Sequence, residues 1–229
     1  MRPSTGGVPI AIAHRGDPVA ERENTLPAFT SAVQEGADMV ELDLRRTRDG
    51  EIVVLHDATL SRLWGDERNV ADVDLASLRE IGNGEMRIPT FRELLHHIDV
   101  PMMVDLNAET VEGALDEVRQ ADAMTRALFV TGNVAALRHL RRLAPDARIG
   151  LTWVKQEPPP LALLQELGAE YWNPMFRLVT PDRVAEVHRI GLKVSTWTVD
   201  KPRHMARVVA AGVDAIVSNQ IRQLRRELS

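Results

Sequence analysis

Glu41 and Asp43 stand two residues apart in the run VELDL (40–44), and Asp105 sits in MMVDLN (102–107). Residues two apart in a β-strand share a face, so Glu41 and Asp43 point the same way, with Cα atoms roughly 6.5–7 Å apart. Carboxylates crowded on one inward face repel each other and lose hydration, so either cations meet them or the site is wet. Three carboxylates from neighbouring strand ends offer the hard oxygen ligands that Mg2+ or Ca2+ takes. An ion-pair network with Arg45 or Arg46 would satisfy the same charges. His14 and Arg15 close one apolar run, and His56 closes another. Two histidines beside such a cluster point to acid–base chemistry. Arg15 adds a forked donor suited to an oxyanion, typically phosphate. The other five histidines (His96, His97, His139, His188 and His204) fall in helix-like segments and read as surface or packing residues.

Periodicity supplies the elements that must position these side chains. Nine short β-like runs cover 9–14, 39–45, 52–56, 102–106, 128–131, 148–154, 171–173, 193–199 and 215–218. Between most of them lie amphipathic stretches at 25–35, 110–121, 134–143, 161–167, 181–190 and 202–211, with Gly36, Gly168, Gly191 and Gly212 at expected helix stops. Thr25 reads as the first helix's N-cap, with Pro27 in its first turn. Alternating β and α units imply a parallel sheet with helices packed outside. A chain of 229 residues suits a single TIM (β/α)8 barrel, which runs about 200–250 residues. Nine runs exceed by one what a closed eight-stranded barrel needs. The excess is assigned to the hairpin at 40–57, turned at Asp49-Gly50, with the arm that joins the barrel left open. Residues 58–90 are polar, and read as a loop or small insertion after the His56 segment with one short helix at 75–81. Residues 1–229 read as one domain.

Composition narrows the classes. Apolar residues make up 44% and charged residues 27%, as in ordinary globular chains. The net charge of −5, with no basic patch in view, argues against a nucleic-acid partner. The absence of cysteine excludes disulfides and thiolate metal sites. No apolar run approaches the roughly 18 residues of a membrane span. Near the start, Arg2 and the short apolar run 8–13 do not make a secretory leader. The expectation is a cytoplasmic protein acting on a small molecule, with its oligomeric state open.

The stretch AHRGDPVAERENTLPAFTSAVQEGADMVELDLRRTRDGEIVVLHDATLSRLWG resembles the glycerophosphodiester phosphodiesterases. Their pattern runs H-R-G, E-N-T-x-x-A-F, G-A-D-x-x-E-x-D-x-x-x-T-x-D-G and V-x-x-H-D, and all of it occurs here in order. IPTFRELL, GLKVSTWTVD and AGVDAIVSN resemble later landmarks, so the likeness spans nearly the whole chain. It implies a TIM barrel, hydrolysis of glycerophosphodiesters to glycerol 3-phosphate and an alcohol, and a divalent metal ion, Mg2+ or Ca2+. By position, His14 and His56 resemble the general acid and base, Glu41 and Asp43 two metal ligands, and Arg15 a phosphate ligand. Trp197 matches a tryptophan that lines the substrate pocket.

The fourth motif departs from the family's E-x-K. Asp105 takes the place of Glu as a shorter metal ligand, and Asn107 takes the place of Lys, leaving an amide where a cation is usual. Lys155, near the end of GLTWVK, is a candidate to supply that charge from another strand. VSN stands where T-D is common, and Trp64 could shield the mouth from the insertion. Two rivals stay open: a phospholipase D-like or sphingomyelinase D-like phosphodiesterase of the same superfamily, and a non-catalytic phosphodiester-binding protein.

Overall fold

The structure is a computed structural model describing residues 7–229; Arg2 lies outside the described residues. Among the described residues nine strands form: β1 (Ile10–His14), β2 (Met39–Arg46), β3 (Ile52–Val54), β4 (Met102–Asp105), β5 (Ala127–Thr131), β6 (Arg148–Trp153), β7 (Tyr171–Pro174), β8 (Lys193–Thr196) and β9 (Ala215–Ser218). Eight of them run parallel in the order β1-β9-β8-β7-β6-β5-β4-β2, and β1 pairs with β2 to close the ring. The fold is a TIM barrel. The ninth strand is the hairpin's second arm: β3 pairs antiparallel with the far end of β2, Leu44 opposite Val54 and Arg46 opposite Ile52. The first arm therefore belongs to the barrel, and the second folds back outside it.

Alternation along the barrel strands sends every second side chain outward. Val40, Leu42, Val104, Phe129, Leu151, Trp172 and Ile216 go into the layer under the helices. Full burial of each such side chain is worth about 1.5–3 kcal/mol. The helices supply the other half of that layer. In α1 (Leu26–Gln34) the Thr25 hydroxyl accepts from the Ala28 amide, and Phe29 and Ala32 face inward. The helix α4 (Phe91–His97) opens on a capping box in which the Thr90 and Glu93 side chains each bond the other's backbone amide. Further round the ring follow α5 (Val111–Gln120), α6 (Val134–Leu143), α7 (Leu161–Leu167), α8 (Pro181–Arg189), α9 (Pro202–Ala210) and α10 (Ile221–Leu228). No helix among the described residues is long and apolar enough to cross a membrane.

Residues 58–90, read as a polar loop or small insertion with one short helix, form a small insertion with more structure than that. They fold as α2 (Ser61–Trp64), a 3-10 turn (Val70–Asp72) and α3 (Leu75–Leu78). Leu60, Val70, Val73, Leu78 and Ile88 close over Val53 and Leu55 as a small core of their own. These apolar residues are irregularly spaced, so no helical or strand period marks them in the sequence.

Candidate active site

Parallel barrels carry their chemistry at the C-terminal ends of the strands. Register brings the candidates to that level: His14 lies opposite Glu41 across β1 and β2, and Asp43 opposite Asp105 across β2 and β4. Lower down, inward-facing Ile12, Met39, Met103, Leu128, Val130, Tyr171, Ala215 and Val217 plug the barrel. One step up the same faces the residues turn polar. His14, Glu41, Asp43, Asp105, Thr152 and Asn173 line a cavity of about 170 Å3, together with Arg15, His56 and Trp197. Gly150 helps keep the interior passable, since a Cβ there would meet Val130 Cγ1 at 2.9 Å.

One carboxylate oxygen from each of Glu41, Asp43 and Asp105 lies within 4.8 Å of the other two. Burial pushes the Glu41 carboxyl well above the usual carboxylate range, and repulsion from Asp43 and Asp105 adds to it. Burial, then Asp43, pushes Asp105 up to about 7. The guanidinium that pairs with the cluster is Arg15, whose Nε lies 3.1 Å from Asp43 Oδ2. The Asn24 amide also donates to Asp43 Oδ2, at 2.9 Å. Arg45 and Arg46 make no ion pair with these carboxylates among the described residues. Arg45 instead forks onto the His56 carbonyl, its Nε at 2.8 Å, and so pins the end of the hairpin. One guanidinium against three crowded carboxylates leaves uncompensated negative charge. The donor set and spacing fit a divalent cation, which would reverse the upward pressure on their protonation.

Arg15 sits in the left-handed region at φ 59°, as does Asn24 at 58°. Such strain persists only where the surroundings fix it. Here the Arg15 amide donates to the Glu41 carbonyl at 2.9 Å, and the Asn24 amide to the Arg15 carbonyl at 2.9 Å. Gly16 follows at φ 84°, where a Cβ would lie 2.6 Å from the Ala28 carbonyl carbon. The Arg15 Nη1 donates to Glu23 Oε1 at 2.9 Å. Its buried Nε–H has no well-aimed acceptor among the described residues.

The two histidines are held differently. His14 Nδ1 lies 2.7 Å from Asn219 Oδ1, and the Asn219 Nδ2 donates to Asp200 Oδ2 at 2.8 Å. The amide so oriented accepts from Nδ1–H, which leaves the Nε2 lone pair facing the cavity. His14 Nε2 is 3.8 Å from Glu41 Oε2. Burial, then Arg15, lowers the proton affinity of His14, while burial, then Asp43, raises that of Glu41. His56 Nδ1 lies 2.7 Å from Asp57 Oδ1. The Arg62 hydrogen bond foremost, and then that of His56, hold Asp57 down at about 2. The Leu55 amide donates to the Asp43 carbonyl at 3.0 Å, which sets His56 beside the carboxylates.

Seven of the nine residues expected at the site therefore meet in one cavity; Asn107 and Lys155 do not line it. Asn107 Oδ1 accepts from the Glu109 and Thr110 amides at 2.9 and 3.1 Å, and its Nδ2 donates to the Leu44 carbonyl at 3.2 Å. Its side chain is committed to the turn that opens α5. Lys155 is exposed, with its ammonium 5.5 Å from the Trp153 ring. Trp197 donates to the Asn173 carbonyl at 3.0 Å and forms part of the wall. Trp64 lies outside the wall, beneath the Arg22 guanidinium at 4.4 Å. Glu23, Asp57, Arg62, Asp200 and Asn219 stand behind the cavity residues without a period or spacing that marks them in the sequence, although Glu23 and Asp57 fall inside the E-N-T and H-D motifs.

Comparison with known proteins agrees with the motifs and the barrel fold. The model of the glycerophosphoryl diester phosphodiesterase family matches residues 14–223. A glycerophosphodiester phosphodiesterase of Caldanaerobacter subterraneus subsp. tengcongensis is 30% identical over 92% of this chain and 93% of its own. The crystal structure of a glycerophosphoryl diester phosphodiesterase homologue from Silicibacter pomeroyi superposes with a TM-score of 0.89 at 28% identity, covering 96% of this chain and 93% of that one. A phosphodiesterase of Oleispira antarctica, solved with the product sn-glycerol-3-phosphate, shares the fold at a TM-score of 0.89 and 24% identity, covering 96% and 97% of the two chains. On its motifs, its barrel and these matches, the chain belongs to the glycerophosphoryl diester phosphodiesterase family.

Proposed function

We propose that this enzyme hydrolyses glycerophosphodiesters to sn-glycerol 3-phosphate and an alcohol, with His14 and His56 as its acid–base pair. The observation that carries the reading is the meeting of both histidines, Arg15 and the three carboxylates in one cavity. The activity for which the Caldanaerobacter relative is named supports it.

Glu41, Asp43 and Asp105 would hold a divalent cation, Mg2+ or Ca2+. Bound there, such an ion supplies positive charge against a phosphoryl oxygen. Arg15 directs its guanidinium to the phosphate, where a forked, permanently charged donor suits the phosphoryl oxygens. His14, neutral with Nε2 free, takes the proton of the attacking oxygen. His56 gives a proton to the leaving alcohol, and the ionised Asp57 at its Nδ1 suits a ring that must carry positive charge beforehand. Trp197 offers an apolar wall to the glycerol carbons. Asn107 acts through the α5 turn rather than on substrate.

Replacing either histidine by alanine should lower kcat on glycerophosphocholine by about 10²–10⁴-fold, the usual span for a lost acid or base. Near-wild-type turnover in either variant refutes its role. A kcat/KM higher on a lysophospholipid than on glycerophosphocholine would move the assignment to a phospholipase D-like activity.

A further inference from the structure

We propose that Arg62 is a positioning residue that clamps Arg15 and His56 into one unit through Glu23 and Asp57. The inference rests on the roles just proposed for Arg15 and His56. Arg62 lies in α2, outside the barrel, and touches neither the cavity nor the carboxylate cluster. Its guanidinium reaches two carboxylates at once. Nη2 donates to Glu23 Oε1 at 2.7 Å and Nη1 to Glu23 Oε2 at 3.2 Å, while Nε donates to Asp57 Oδ2 at 2.5 Å. Each carboxylate spends its other contact on a residue of the cavity wall. Glu23 Oε1 also accepts from Arg15 Nη1 at 2.9 Å, and Asp57 Oδ1 faces His56 Nδ1 at 2.7 Å. The order Arg15, Glu23, Arg62, Asp57, His56 therefore alternates sign along its charged members and begins and ends on residues of the cavity wall.

Two features separate this clamp from an ordinary surface ion pair. The first is what it joins: the loop after β1, which carries Glu23, and the exit of β3, which carries Asp57, are 34 residues apart in sequence and are bridged by this one guanidinium. The second is the fork. A planar guanidinium serves two carboxylates in fixed directions, whereas an ammonium is a point charge with no preferred plane. Glu23 and Asp57 are also shielded, their side chains 15% and 22% exposed, so the contacts are less screened than those of open surface pairs. Without Arg62, Glu23 would hold Arg15 with no counter-anchor, and Asp57 would be free to swing from His56.

The loop should survive the loss. Leu60, Val70 and Leu78 anchor the segment from beneath, and the Arg22–Trp64 stack at 4.4 Å ties the same two loops independently. The test is a kinetic cycle on glycerophosphocholine with Arg62→Ala, Asp57→Asn and the double variant, with Arg62→Lys as a second probe. Residues that orient a working group from behind typically cost about 10–100-fold when removed. Arg62→Ala should lower kcat/KM by that amount and raise KM as Arg15 loosens. In the Asp57→Asn background its further effect on kcat should fall below about 3-fold, because both changes break one chain. Arg62→Lys should recover less than half of the loss on a logarithmic scale. An equal kcat loss in both backgrounds, or full recovery by lysine, overturns the clamp. A readout free of turnover accompanies it: ¹⁵N NMR of histidine-labelled protein, with His56 assigned from His56→Gln. At a pH high enough to leave the ring neutral, wild type should show the single Nδ1–H tautomer at His56 and Arg62→Ala a mixture. An unchanged tautomer in a folded Arg62→Ala protein refutes the clamp even if wild type turns over no glycerophosphodiester, an outcome that would instead refute the proposed function.

Discussion

Asp105→Asn makes the energetics of the acidic cluster measurable. In the metal-free protein Asp105 is pushed from its ordinary 3.8 up to about 7 by burial and by Asp43. A carboxyl raised on folding leaves stability intact below its unfolded value, where both states are protonated. As the pH climbs from about 4 to about 7, the unfolded chain releases its proton and the folded one does not, so stability is lost across that window. Each factor of ten in proton affinity is worth about 1.4 kcal/mol, which bounds the loss at about 4 kcal/mol by pH 8. Water and Arg15 screen the cavity, and about 2–3 kcal/mol is the expected figure. Asp105→Asn should therefore stabilise the metal-free protein by that amount at pH 8 and by less than about 0.5 kcal/mol at pH 4. Urea melts in a chelator at the two pH values read the difference. In wild type, added Mg2+ or Ca2+ should restore the stability lost at pH 8, and in the variant it should restore much less. Equal effects at both pH values, or a destabilised variant at pH 8, would refute the picture of three carboxylates awaiting a cation.

Away from the site, Glu117 on α5 is buried, its Oε2 lacks a partner among the described residues, and burial pushes it from 4.5 up to about 7. By the same sign argument Glu117→Gln should stabilise the protein at pH 8 but not at pH 4. Discounted for the solvent that still reaches the carboxyl, the gain is about 1–2 kcal/mol in the same melts, and a pH-independent effect would contradict it. Lys155→Ala should leave kcat and KM for glycerophosphocholine within about 2-fold, as expected of an exposed residue off the cavity wall. A loss of 10-fold or more would show that Lys155 supplies the cation missing at Asn107.

The strands were legible because their apolar runs are short, bounded and rich in β-branched residues, and all nine runs became strands. The convergence of the candidate residues was legible because a barrel places strand ends at one mouth, which brings His14, Glu41, Asp43 and Asp105 together. The fate of the extra strand was not legible, since pairing direction depends on where the Asp49-Gly50 turn sends the chain. Besides the single turn α2, two longer helices, Phe91–His97 and Ile221–Leu228, fell outside the helical stretches read from the sequence. The first carried a readable signal in Thr90 and Glu93, a capping box at its start. Asn107 misled because an amide at a strand end serves a local turn as readily as a ligand, and nothing in spacing separates the two. Arg62 and Glu23 were invisible as a pair because their meeting depends on how two loops fold over the mouth, not on a period within either.

Release of sn-glycerol 3-phosphate from glycerophosphocholine by the purified protein is the most direct test of the account. The assay is run in chelator, after adding back Mg2+ or Ca2+, and with His14→Ala and His56→Ala alongside. The account predicts turnover that chelation abolishes and at least one of the two ions restores, and that falls about 10²-fold or more in each variant. Product formed undiminished in chelator, or no product from wild type with either ion, would contradict it.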